Sequence, residues 1–160
     1  MNEKQLNILL ADDDTDDCIF FKQAVEELKI PTHLTAVHDG EQLMDYLSEY
    51  SLRAQNLAPL PDVLFLDINM PRKNGKECLA EIKLNNKLKQ LPVIMFSTSY
   101  EKEVVNLLYN NGAQYFIRKP VDFSQFKKII QQTVTLMSHG NIAQPTRENF
   151  VLTVENSSIK

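Results

Sequence analysis

The chain has 160 residues, 43% hydrophobic and 24% charged, with no Trp, which suits one soluble globular domain with a real core. A net charge of −4 and no basic stripe on any predicted helix exclude the electrostatic footprint of a nucleic-acid binder. No apolar run nears membrane-spanning length and the N-terminus lacks a signal peptide's basic-then-apolar build, so no membrane association and a cytoplasmic location are expected. Cys18 and Cys78 stand far apart and read as free thiols rather than a disulfide. His33, His38 and His139 have no metal-ligand spacing with them.

Leu6 to Ala11 is a short apolar run and reads as the first strand, ending in Asp12-Asp13-Asp14. Thr15, Asp16 and Asp17 suit the start of a helix, where acids favour the dipole. Capping accounts for Asp14 to Asp17 but not for Asp12 and Asp13, which belong to the strand end. Phe21, Ala24, Val25 and Leu28 then recur at helical spacing before Pro31. Leu34 to His38 reads as a second strand stopped by Asp39-Gly40, and Leu43, Met44 and Leu47 face a second helix. From Ser48 to Pro61 the pattern loosens into a helix extension followed by an exposed loop.

Val63-Leu64-Phe65-Leu66 has the unbroken apolar character of a strand buried on both faces, and it ends on Asp67. Arg72 to Gly75 form a polar turn, and Leu79 and Ile82 anchor a third helix that ends among Asn85 and Asn86. Pro92 to Phe96 is the fourth strand, ending in Ser97. Val104, Val105, Leu107 and Leu108 give a fourth helix, stopped at Asn111-Gly112. Tyr115 to Arg118 is the fifth strand, ending in Lys119-Pro120, and Phe123 to Met137 carry a last amphipathic helix. Strands and helices alternating in this way predict a doubly wound α/β fold, a five-stranded parallel sheet with helices on both faces. Residues 140–160 read as a tail behind a domain of residues 1–139, with no separate effector domain.

In such a sheet the strand ends share one edge, where α/β folds bind ligands. Asp12, Asp13, Asp67, Ser97 and Lys119 therefore gather there. Carboxylates about 4 Å apart repel by about 4 kcal/mol per pair at an effective dielectric near 20. Such a cluster invites a hard divalent cation, and few protein ligands with several waters suit Mg²⁺. A carboxylate beside that ion and a fixed ammonium is placed to attack phosphorus, while the Ser97 hydroxyl donates to a phosphoryl oxygen.

From Leu6 to Met137 the chain resembles the receiver domains of two-component response regulators. The resemblance rests on Asp12-Asp13, the loop Leu66-Asp67-Ile68-Asn69-Met70-Pro71, the strand ending in Ser97, and Lys119-Pro120. It implies the flavodoxin-like strand order 2-1-3-4-5. It implies Mg²⁺ held by Asp13 and Asp67 directly, by Asp12 through water and by the Asn69 backbone carbonyl. Asp67 would take a phosphoryl group from a partner's phosphohistidine, with Lys119 as the ammonium of the site. The partner would be a sensor histidine kinase, a hybrid kinase or a phosphotransfer protein, and the length from Ser48 to Pro61 resembles regulators paired with bacterial photoreceptor kinases. The resemblance also implies a cis bond at Lys119-Pro120, and Ser97 and Phe116 as a switch pair. The face of the fourth helix, fifth strand and fifth helix (around Val104 to Tyr109 and Phe126 to Ile130) becomes the expected output or homodimer face. Such a chain would signal by protein contact or phosphorelay, with self-phosphorylation and autodephosphorylation as its only catalysis. Two other readings compete. A haloacid dehalogenase-like phosphatase wants Asp where this chain has Asn69, and a receiver-like module that is never phosphorylated would lack one of the acids or the lysine.

Overall fold

The apolar runs become the strands of one parallel sheet in the computed structural model, which describes residues 5–52, 60–140 and 143–154. In chain order these are β1 (Leu6–Ala11), α1 (Thr15–Glu26), β2 (Thr32–Val37), α2 (Gly40–Leu52), β3 (Val63–Asp67) and α3 (Gly75–Leu84). They continue as β4 (Val93–Ser97), α4 (Lys102–Asn110), β5 (Tyr115–Arg118), α5 (Phe123–Ser138), a 3-10 turn (Arg147–Asn149) and β6 (Val151–Leu152). The strand order is β2-β1-β3-β4-β5-β6, every neighbouring pair parallel. The exposed loop expected before Pro61 falls mostly on residues 53–59, outside the described residues; α2 does extend to Leu52.

The starts of α1 and α3 follow local chemistry. The Asp14 side chain caps α1 by accepting from the Asp16 and Asp17 backbone N–H groups. Asn74 and Glu77 form a reciprocal capping box at α3. At the far end of α4, Gly112 takes a φ of +96°, the left-handed turn that ends a helix without a Cβ clash. The core then divides by the two-residue period of the strands. Leu9, Leu64, Leu66, Met95 and Phe116 point to the side covered by α2, α3 and α4. Ile8, Leu10, Phe65, Phe96 and Ile117 point to the side covered by α1 and α5. Every position of β3 and β4 is buried, which fixes their ends as the centre of the edge.

The sheet differs from expectation by one strand. Residues 143–152 turn back along α4, and β6 pairs Val151 with Phe116 and Leu152 with Ile117. Tyr109 Oη donates to the Pro145 carbonyl at 2.8 Å, and Arg147 Nε donates to Asn106 Oδ1 at 2.7 Å. The Gln144 amide donates to the Tyr109 and Ala113 carbonyls. Phe150 is fully buried, its ring edge-on to Tyr109 at 5.1 Å. Two residues are too short a run for a two-fold pattern to register, so the sequence concealed this strand.

Candidate functional site

β1 and β3 are adjacent, so Asp12 and Asp67 emerge side by side at the ends of those two strands. Asp12 is fully buried, Asp67 is 6% exposed, and Asp13 faces solvent. One carboxylate oxygen from each of the three lies within 4.8 Å of the others. All-oxygen donors at this spacing fit a hard divalent cation.

From the other side β5 delivers Lys119. Its ammonium donates to Asp12 Oδ2 at 2.7 Å and to Asp17 Oδ2 at 2.9 Å, and stands 3.6 Å from Asp67 Oδ2. The face of Phe96 lies 4.9 Å from it. Burial alone would depress the ammonium, but the charges of Asp67 and Asp12 outweigh it and hold Lys119 above its ordinary value. Burial pushes the Asp67 carboxyl up to about 7; Lys119 opposes the rise, Asp12 adds to it, and the Asn69 backbone N–H opposes it. The peptide bond before Pro120 is trans, against the cis bond expected there. A trans bond still brings the long lysine side chain to Asp12 and Asp17 and within 3.6 Å of Asp67.

The loop after β3 is held by two close approaches. Gly75 donates its N–H to Ile68 O at 2.8 Å, and a Cβ on Gly75 would stand 2.2 Å from the Asp67 carbonyl oxygen. A Cβ on Gly40 would stand 2.0 Å from the Lys73 carbonyl oxygen. Arg72, at a φ of +71°, sits between them and pairs with Asp39 at 3.5 Å. Bare backbone at Gly40 and Gly75 thus fixes how the Asp67 loop leaves the sheet.

The remaining candidates are spread more widely. Asn69 is exposed beside Asp67. Ser97 is buried at the end of β4, one residue past Phe96, the register partner of Asp67. Its hydroxyl accepts the Ser99 N–H at 3.2 Å and lies 3.3 Å from the Ser99 hydroxyl. Phe116 is fully buried at mid-strand, edge-on to Tyr100 at 5.9 Å. A cavity of about 160 Å³ opens between the loops after β3 and β4, reaching from Asn69 and Ser99 to Val104 and Phe116. Cys18 and Cys78 are free thiols; burial first, then the Asp12 charge, pushes Cys18 up to about 12. The residue that sequence reasoning missed is Asp17. Its place at the third position of α1, facing the strand ends one turn beyond Asp13, was the available signal, and the helix start absorbed it.

The model of the response regulator receiver domain matches residues 8–131. The chain belongs to that family. Among curated relatives, the receiver is 31% identical to the response regulator Rcp1 of Synechocystis over 136 residues, covering 81% of this chain and 91% of that one. The phosphorylated cyanobacterial phytochrome response regulator RcpA superposes with a TM-score of 0.79 at 29% identity, covering 89% of this chain and all of RcpA. The Mn²⁺-bound form of Rcp1 superposes at 0.74 with 28% identity, covering 88% and 99%. This receiver is therefore a phosphorylation-dependent switch of two-component signalling, served by a histidine kinase or phosphotransfer partner, and receivers of this kind bind a divalent metal. No helix among its described residues is long and apolar enough to cross a membrane.

Proposed function

We propose that Asp67 is the residue at which this receiver is phosphorylated, with Mg²⁺ as the divalent ion. The observation that carries this reading is the position of Asp67: a buried carboxylate clustered with Asp12 and Asp13 and faced by the Lys119 ammonium at 3.6 Å. An Asp67 oxygen attacks the phosphorus of a partner's phosphohistidine, the N–P bond breaks, and the imidazole departs with a proton. The product is an acyl phosphate on Asp67. When bound, the metal offsets charge on the phosphoryl oxygens. Asp13 and Asp67 would hold it directly, Asp12 through water, and Asn69 by its backbone carbonyl. Lys119 supplies the positive charge beside Asp67, its ammonium 3.6 Å from the Asp67 carboxylate and anchored in the buried edge by Asp12.

Phosphorylation adds up to two negative charges at an enclosed edge. The Ser97 hydroxyl leaves Ser99 to donate to the phosphoryl group, and Phe116 turns toward the adjoining cavity, so packing carries the change to α4, β5 and α5. Output then passes by protein contact, homodimerisation on that face or phosphorelay, from a cytoplasmic receiver unit of residues 1–139 whose tail supplies β6. Its likeness to RcpA supports a phytochrome-type kinase as the donor. The test is intact-mass measurement after incubation with acetyl phosphate and Mg²⁺. Wild type gains one phosphate and Asp67→Asn loses most of that gain. Equal labelling of the variant refutes the assignment, and steady turnover of simple phosphate esters supports a phosphatase instead.

A further inference from the structure

The capping of α1 leaves the Asp17 side chain unexplained. Asp14 already serves the first turn by accepting the Asp16 and Asp17 backbone N–H groups. The Asp17 carboxylate instead accepts from Lys119, 102 positions away in the chain, at 2.9 Å. An ammonium has three N–H groups. Asp12 holds one at 2.7 Å and Asp17 a second, while Asp67 at 3.6 Å lies beyond hydrogen-bond reach. Lys119 is thus drawn to the α1 side of the site, off the carboxylate where new charge will build. The two anchors are not equivalent. The Asp12 side chain is fully enclosed and that of Asp17 is 18% exposed, so water can replace the ammonium at Asp17 far more readily than at Asp12.

We propose that Asp17 is a positioning residue that restrains Lys119 in the resting receiver and releases it when Asp67 carries the phosphoryl group. The proposal rests on Asp67 being the phosphoacceptor. A phosphoryl group projects three strong acceptor oxygens beyond the Asp67 carboxylate. It thereby offers Lys119 a partner that the 3.6 Å gap now denies it. The Asp17 contact competes with that partner in the transition state as in the product, so it slows phosphoryl uptake. A purely structural role has the opposite sign: a lysine that loses an anchor wanders, and uptake slows.

The sign makes the test decisive. The full chain at saturating Mg²⁺ is treated with phosphoramidate, and intact mass is followed with time for wild type, Asp17→Asn, Asp17→Ala and Asp17→Glu. The neutral variants gain phosphate about three- to tenfold faster, the range for loss of one hydrogen bond of ordinary net strength, because the Asp17 contact is partly open to water. Asp17→Glu, which restores the charge, returns toward the wild-type rate. In a Lys119→Ala background Asp17→Asn loses most of its gain, because the effect passes through the ammonium. Wild-type or slower uptake in both neutral variants, beside a normally labelled wild type, overturns the proposal alone. A wild type that takes up no phosphate overturns the reading of Asp67 and this restraint with it.

Discussion

Removing the Phe150 side chain tests whether the returning segment belongs to the core. The ring is fully buried, edge-on to Tyr109 at 5.1 Å, with the Arg147 guanidinium 5.9 Å from its centre. A buried Phe→Ala change costs about 3–5 kcal/mol when the surroundings cannot collapse. The edge-on pair supplies about 0.5–1.5 kcal/mol of that beyond area burial. The cost has a ceiling, because residues 143–152 can detach before the sheet melts, and no substitution can cost more than docking the segment contributes. For a chain of this size the full cost lowers Tm by about 6–20 °C, and the ceiling places Phe150→Ala in the lower half of that range. Thermal unfolding by circular dichroism measures the shift. Amide exchange at Phe116 measures the detachment, since that N–H donates to the Phe150 carbonyl at 3.0 Å. A Tm within about 1 °C of wild type, with exchange at Phe116 unchanged, refutes the reasoning.

Two further outcomes concern the strand-end charges. Metal that binds only the folded state stabilises by mass action, so millimolar Mg²⁺ raises the wild-type Tm and raises that of Asp13→Ala much less; no shift in wild type at saturating metal contradicts the site. In chelator, the rise of Asp67 from 3.8 to about 7 means that the folded receiver keeps a proton the unfolded chain has lost across that window. Stability then falls as pH climbs from about 4 to about 7 and levels off above, with a slope of at most about 1.4 kcal/mol per pH unit. Urea midpoints against pH should show this slope in wild type and a flatter line in Asp67→Asn, and parallel profiles would count against it.

The legible parts of the sequence were those that repeat with a period or end on a charge. Val63 to Leu66 announced a doubly buried strand, and Asp67 gained meaning because three other strands also ended on polar groups. β6 was illegible because its two residues carry no period and its pairing partners, Phe116 and Ile117, lie far back in the chain. Asp17 was hidden differently. A carboxylate in a first helical turn has a sufficient local reason to be there, so its long-range partner left no trace in the spacing. The trans bond at Pro120 is a third kind of miss: either isomer is cheap before proline, and only the packed site selects between them.

The returning segment also affects how this receiver can change over evolutionary time. The ground beside α4 is composed jointly by Asn106 and Tyr109 and by Gln144, Pro145 and Arg147. The second group belongs to no strand or helix that carries a strand-end charge. Mutations there can redraw what a partner meets while Asp12, Asp67 and Lys119 keep their geometry. On the proposed output face and phosphorylation site, partner choice and phosphoryl chemistry would be written in separate parts of the chain, and a duplicated copy could acquire a new listener without relearning how to be phosphorylated.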